Sequence, residues 1–201
     1  MKTDTGKIII TTTAYYILQY YFRNYDNVKV TYTRYYDRGI KDWDYAVFPN
    51  IYINPYQIRH NIYPPKNTIK EIEVDGVTVC AVIERKNKDD FEGNKLFEKA
   101  ISTKNNQMLV QSIQLMESAI KHDKNNDIMY LNLARAYIFL NQFETARKRL
   151  QVLLSFYPDY EKAYDLHGYS YLSEAQRTGS KDLLDKSISY FRKAVSIKKK
   201  F

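Results

Sequence analysis

The chain has 201 residues, 44% of them hydrophobic, which suits one large or two small packed domains and excludes wholesale disorder. Its formal net charge is +8, but basic and acidic residues are interspersed along the second half, so we predict solvated helix faces and no nucleic-acid partner. A single cysteine, Cys80, excludes an intramolecular disulfide and any paired-cysteine metal or redox site.

The first half is predicted to be a small α/β domain over residues 1–88. A β-branched strand at residues 7–12 precedes a helix within residues 13–25. Two short strands follow, near residues 28–36 and 44–50, and then a short helix near residues 54–61. This order predicts an α/β sandwich with a mixed sheet, in which parallel strands come first and an antiparallel hairpin lies at one edge.

The hairpin is the clearest local signal in this half. Asp75-Gly76 separates the alternating segments IKEIEV and VTVCAVIERK, as expected for a two-residue primed turn. That turn places Val74 against Val77 and Ile72 opposite Val79. Cys80 falls in the second strand and is predicted to be a buried, inert thiol.

Three short motifs in this half resemble a known family. They are Asp44-Tyr45-Ala46-Val47, Tyr63-Pro64-Pro65, and the hairpin from Ile72 through Val82. Over about residues 7–86 the chain resembles the extramembrane C-terminal region of bacterial membrane glycosyltransferases related to protein mannosyltransferases, glycosyltransferase family 39.

The resemblance implies an accessory domain. The catalytic acidic residues of that family lie in a loop between its first transmembrane helices, which has no counterpart here, so no catalytic residue is predicted in this chain. The parent protein would be the glycosyltransferase, its membrane part a partner, and the location extracytoplasmic, on the periplasmic side. Met1 would then not be the natural start. Without such a parent the chain is expected to be cytoplasmic.

The alternative is a free-standing soluble protein or enzyme that binds a nucleotide or nucleotide sugar. Its site would be the strand-end crevice of the α/β domain, near Thr11–Thr13 and Trp43. The turn after the first strand has neither a GxGxxG motif nor a P-loop lysine. Asp42 and Asp44 flank Trp43, and we expect Trp43 to pack while both carboxylates remain solvated.

No cofactor or metal is predicted. His60, His122 and His167 are isolated and form no HExxH or paired-histidine motif. His167 falls on a position where the repeats described below carry leucine, so we interpret it as a packing residue.

The second half, residues 89–201, begins within a charged stretch, KNKDD (residues 86–90), that we interpret as a linker. Its central segment, residues 127–158, carries large and small residues at fixed spacings: Tyr130, Leu133, Ala134, Tyr137, Ala146, Leu150 and Pro158. The pattern resembles the tetratricopeptide repeat, in which small residues let two antiparallel helices approach closely. The predicted fold is therefore a small α/β domain followed by an all-α stack of tetratricopeptide helices.

An internal repeat extends this stack to about three units. Gly93 and Gly168 occupy equivalent positions, and Ser112 and Ser187 are separated by the same length of chain. The outer units carry seven extra residues, which we place between the helices, in SEAQRTGSKD for the last unit. The first repeat has Asp89 and Glu92 where large residues are expected, so its first helix is predicted to dock on the α/β domain. The last helix should be a cap, with Lys186, Arg192 and Lys193 on its outer face.

Tetratricopeptide arrays bind peptides or other domains in a concave groove, so we predict a protein or peptide partner. The groove positions are predicted to be Asn132, Arg135, Phe139, Tyr169 and Ser173. Arg135 and Asn132 would grip a carboxylate and a peptide backbone, although both also fit an ordinary solvated helix face. The predicted function is a non-catalytic protein-interaction module.

Overall fold

A computed structural model describes residues 6–199, so Met1 lies outside it. A five-stranded mixed sheet is followed by a helical stack, which confirms the predicted fold class. The strands and α-helices in chain order are β1 (Ile8–Thr12), α1 (Tyr15–Phe22), β2 (Val28–Tyr32), β3 (Tyr45–Pro49), α2 (Pro55–Arg59), β4 (Thr68–Val74), β5 (Val77–Glu84), α3 (Asp89–Thr103), α4 (Asn106–His122), α5 (Asp127–Phe139), α6 (Phe143–Phe156), α7 (Glu161–Thr178) and α8 (Lys181–Lys198).

These elements form two compact units. The first unit comprises the described residues up to Glu92 together with Ser118–Ile128, which is the end of α4, the following turn and the start of α5. The second comprises Gly93–Glu117 and the described residues from Met129 onward.

The sheet of the first unit has the strand order β2-β1-β3-β5-β4. β1 runs parallel to β2 and β3, whereas β5 pairs antiparallel with β3 and β4. The prediction of parallel strands followed by an edge hairpin is therefore confirmed. Large aromatic side chains dominate the buried core of this unit: Tyr35, Trp43, Phe48 and Tyr63, with Ala46, Ile53, Ala81 and Ile83.

The hairpin has the predicted turn but not the predicted register throughout. Asp75 and Gly76 both have positive φ, 50° and 74°, as a primed turn requires. Val74 pairs with Val77 as expected. Ile72, however, pairs with Cys80 rather than Val79, because the register shifts by one residue between Ile72 and Glu73. Cys80 is half-buried, and burial raises the pKa of its thiol.

The helix α1 leaves an aromatic surface exposed. It is shorter than predicted, and Thr12 accepts a hydrogen bond from the Ala14 amide just before it begins. None of its side chains is fully buried, and its exposed large hydrophobic residues are mostly aromatic: Tyr16, Ile17, Tyr20 and Tyr21. Large apolar side chains exposed together on one short helix are typical of an interaction surface.

A buried arginine, Arg38, binds several other residues of the first unit. Arg38 lies in a 3₁₀ helix, residues 35–40, and its guanidinium donates to both carboxylate oxygens of Asp123 at 2.9 and 3.0 Å. It also lies 3.7 Å from Asp127 and donates to the Tyr35 carbonyl. The neighbouring Gly39 is needed for a close approach, since a Cβ there would lie 2.5 Å from Asn126 Oδ1.

The charged stretch that we interpreted as a linker makes specific contacts with other residues of the first unit. Asp89 and Asp90 begin α3, and Asp90 accepts a hydrogen bond from Arg85 at 3.0 Å. Lys88 pairs with both Asp42 and Asp44, so these carboxylates are ion-paired rather than solvated as predicted. The linker interpretation was based only on the charged composition of the stretch. Composition could not show the contacts of Lys88, because its partners lie far away in the chain.

The second unit contains the helical repeats. A Cβ at Gly168 would lie 2.8 Å from the Phe191 ring, and one at Gly93 would lie 3.0 Å from Met116 Cγ. Phe191 follows Met116 by the same separation as Gly168 follows Gly93, so the internal repeat reproduces one close helix contact twice. The extra residues lengthen the helices: α7 and α8 have 18 residues each, against 13 in α5 and 14 in α6.

Candidate functional site

The exposed face of α5 and α7 holds most of the predicted groove residues. Arg135 and Tyr169 occupy the same position in successive repeats, as do Phe139 and Ser173. Phe139 is 57% exposed and Tyr169 51% exposed, and Arg135 is exposed too, whereas Ser173 is half-buried. We call these residues, with the two added below, the repeat face.

The fifth predicted residue, Asn132, points inward. Its side chain is almost fully buried, and its Nδ2 donates to Asn94 Oδ1 at 2.7 Å. Its Oδ1 accepts a hydrogen bond from Arg135 Nη1 at 3.3 Å. Asn132 therefore links α3 to α5 and orients the Arg135 guanidinium, which can bind a carboxylate with its other donors.

Two residues of the repeat face were missed in the sequence. By the internal repeat that relates Gly93 to Gly168, Asn94 is equivalent to Tyr169 and Glu98 to Ser173, so both continue the rows formed on α5 and α7. Glu98 is exposed and Asn94 is half-buried. The internal repeat was itself the signal that could have found them. Together the residues present two aromatic rings beside a cation, an acid and an amide.

The strand-end crevice of the alternative function does not form. β1 and β3 are parallel and Ile10 pairs with Tyr45, so residues that precede β3 and residues that follow β1 lie at opposite ends of these strands. Thr11–Thr13 lie at the carboxyl end of the strands, whereas Trp43 lies at the amino end. The two groups named for this site are therefore not brought together.

Trp43 instead borders a cavity of about 200 Å³ within the first unit. Most side chains around it are polar, and five are basic: Lys66, Arg85, Lys86, Lys121 and His122, with Asp90 and Asp123 as the acids. The Arg85 guanidinium stacks 4.0 Å from the centre of the Trp43 ring. Its Nε has no hydrogen-bond partner among the described residues, and burial lowers its pKa.

His167 is a packing residue, as predicted. It is buried in the second unit and stacks on Tyr190 with ring centres 4.5 Å apart. Neither ring nitrogen has a hydrogen-bond partner within residues 6–199. Burial, together with the nearby Arg147, lowers the pKa of His167 to about 4, so the ring is neutral at physiological pH.

Comparison with known proteins agrees with the helical repeats. Residues 106–168 match the family model described as a tetratricopeptide repeat, which confirms the repeats predicted there. The match begins after the sheet of the first unit. A search of curated proteins finds no match.

Solved structures similar to the chain include two tetratricopeptide domains. One is the first TPR of Spaghetti (RPAP3) bound to the HSP90 peptide SRMEEVD, at 18% identity and a TM-score of 0.41, covering 52% of this chain and 78% of that one. The other is the Sgt2 TPR domain from Aspergillus fumigatus, at 25% identity and a TM-score of 0.37, covering 54% of this chain and 78% of that one.

Proposed function

We propose that this chain is a protein-interaction module whose repeat face binds an extended peptide segment of a partner protein. The observation that carries the proposal is the exposure of Arg135 and Phe139 on α5 and of Tyr169 on α7, the first helices of successive tetratricopeptide repeats. The rings offer apolar and aromatic contacts, and Arg135, oriented by Asn132, offers a charged donor. This face fits a peptide with an aromatic or aliphatic side chain near a carboxylate.

A displayed peptide library tests the proposal. Peptides selected on the purified chain are expected to lose at least about tenfold in affinity with Phe139→Ala or Tyr169→Ala, since aromatic anchors dominate such interfaces. Val152→Ala is the matched control, because Val152 is exposed on α6, away from the α5 and α7 positions. Selected peptides that bind all three variants equally would place the site elsewhere.

We propose, on the stated resemblance, that the chain is the extracytoplasmic part of a membrane glycosyltransferase and holds a partner near the membrane-embedded enzyme. The aromatic surface of α1 supports this context, because Tyr side chains favour the membrane–water interface and this helix contains no acidic residue. None of the helices within residues 6–199 is long and apolar enough to cross a membrane.

Reading the gene upstream of the codon for Met1 tests this context. An open frame that continues into several apolar segments of about 20 residues supports the membrane enzyme. A ribosome-binding site directly before Met1 would instead favour a free-standing adaptor in the cytoplasm. The peptide-binding proposal survives either result.

A second candidate function uses the cavity beside Trp43. Its basic rim and the unpartnered Arg85 Nε favour a small anion. Since typical sites for larger ligands measure about 300–1,000 Å³, this cavity fits a phosphate or a sugar phosphate and not a whole nucleotide sugar. The nucleotide-sugar alternative is therefore restricted to a smaller ligand, and its site becomes the cavity beside Trp43 in place of the strand-end crevice.

Thermal denaturation with inorganic phosphate, glucose 1-phosphate and UDP-glucose tests this candidate. A ligand at about 100 times its Kd stabilises by roughly 2.7 kcal/mol, which is a shift of several degrees. The shift should occur with glucose 1-phosphate and vanish in the Lys86→Ala/Lys121→Ala double variant. Lys70→Ala, on β4 and away from the cavity, should leave it unchanged. No shift with any of the three compounds would exclude this function.

A further inference from the structure

The cavity beside Trp43, which the second candidate function assigns to a small anion, contains an unused hydrogen-bond acceptor. Asn67 lines this cavity, and its Nδ2 donates to the Glu84 carbonyl at 3.3 Å. Its Oδ1 is buried and has no hydrogen-bond partner among the described residues. The amide is therefore oriented with its donor occupied and its acceptor unused.

The same cavity contains an unused donor on Arg85, whose side chain is only 4% exposed. Its Nη1 donates to the Lys41 carbonyl at 2.9 Å. Its Nη2 donates to the Arg38 carbonyl at 2.9 Å and to Asp90 Oδ2 at 3.0 Å. Nε has no partner in the part of the chain that the structure describes. A buried guanidinium with an unused N–H favours an anionic acceptor in the cavity.

The backbone holds these two groups at neighbouring positions. The Glu84 amide donates to the Asn67 carbonyl at 3.2 Å, so Glu84 is bound to Asn67 through both its N–H and its C=O. The pairing continues into the sheet, where Thr68 lies opposite Ile83. Arg85 directly follows Glu84, at the end of β5. The unused acceptor and the unused donor thus belong to adjacent, paired segments that line one cavity.

The chemistry of the ligand follows from this pair of groups. The acids of the cavity are already engaged: Asp90 accepts from Arg85. Both oxygens of Asp123 accept from Arg38. A phosphate monoester is a dianion at pH 8, because its second pKa is about 6, so its phosphate offers acceptors only. Such a group satisfies Arg85 but leaves Asn67 Oδ1 buried and unpaired, which weakens binding. A hydroxyl elsewhere on the ligand supplies the missing donor.

We propose that the cavity binds the phosphate ester of a polyol, such as a sugar phosphate, and that Asn67 determines this specificity by accepting a hydrogen bond from a ligand hydroxyl. Arg85 and the basic rim bind the phosphate. The proposal rests on the anion-binding candidate function and extends it, because positive charge alone does not distinguish a hydroxylated phosphate ester from an alkyl phosphate. A site that hydrogen-bonds a ligand hydroxyl discriminates against the analogue that lacks it.

Calorimetric titration at pH 8 with glycerol 1-phosphate and propyl phosphate tests the proposal, because these esters share a three-carbon chain and differ only in two hydroxyl groups. The natural sequence should bind glycerol 1-phosphate at least about tenfold more tightly, since only this ester satisfies the buried acceptor. Asn67→Ala should remove the preference and leave the affinity for propyl phosphate nearly unchanged. Asn87→Ala is the matched control and should keep the preference. Asn87 lines the same cavity, but its Oδ1 already accepts from the Asp89 amide.

The outcomes separate the role of Asn67 from the anion site itself. Equal affinity of the natural sequence for the two esters would overturn the proposal while leaving the anion site in place, and this measurement does not depend on the folding of any variant. A preference that survives in Asn67→Ala, or an equal loss of affinity for both esters, would show that Asn67 is only structural and would also overturn it. Binding of neither ester by the natural sequence would refute the anion site as well.

Discussion

Replacing Arg38 by methionine is expected to lower the free energy of unfolding by about 3–5 kcal/mol, because it leaves the carboxylate of Asp123 without its counter-charge. The side chain is fully buried, pairs with Asp123 through two hydrogen bonds and lies 3.7 Å from Asp127. Burial raises the pKa of Asp127 to about 8, and neither of its side-chain oxygens has a hydrogen-bond partner among the described residues. Methionine matches the stem of arginine but supplies no positive charge.

The single tryptophan makes this measurement specific to the first unit. Trp43 is buried there, and its indole donates to the Arg38 carbonyl at 2.8 Å, so urea denaturation followed by tryptophan fluorescence reports on this unit. Arg34→Met, at an exposed position one turn earlier, is the control and should change stability by less than about 0.5 kcal/mol. Removing the paired carboxylate as well, in Arg38→Met/Asp123→Asn, should recover part of the loss. A single Arg38→Met variant as stable as the Arg34→Met control would contradict this account.

The Arg38 cluster also shows which features were hidden in the sequence. Sequence pattern identified local features well: the Asp75-Gly76 turn, the parallel-then-antiparallel strand order and the repeat units all follow from residues close in the chain. Arg38 falls between the strands predicted near residues 28–36 and 44–50, where no element was predicted. Its partner Asp123 is 85 residues away, and no periodicity encodes a pairing at that distance.

The candidate sites show the same limit. Helical spacing placed Arg135, Phe139 and Tyr169 on an exposed face, but it could not show that Asn132 turns inward to Asn94, 38 residues away. The expected crevice does not form, because β3 runs parallel to β1 and Trp43, which precedes β3, therefore lies at the opposite end of the strands from Thr11–Thr13. The sequence pattern did not give the direction of β3 relative to β1. Positions within one helix were thus predictable, whereas the neighbours across elements were not.

Replacing His167 by leucine is expected to remove an acid-sensitive part of the stability of the second unit. The pKa of the buried ring is about 4, against about 6.5 in an unfolded chain. Between about pH 6.5 and pH 4, His167 is therefore protonated in the unfolded chain but neutral in the folded chain. The stability associated with the neutral ring is fully present above pH 6.5 and falls by about 3 kcal/mol as the pH decreases to 4.

The test compares urea denaturation of the natural sequence and His167→Leu at pH 7, 5.5 and 4.5, followed by helical circular dichroism. Asp127 contributes a slope of the opposite sign, because its raised pKa makes the folded state bind the extra proton between about pH 4 and 8. The difference between the two proteins cancels that slope and isolates His167. We expect the free energy of unfolding of the leucine variant to rise relative to that of the natural sequence as the pH falls. Parallel pH profiles for the natural sequence and His167→Leu would show that the ring is protonated in the fold, and that its stacking on Tyr190 tolerates the charge.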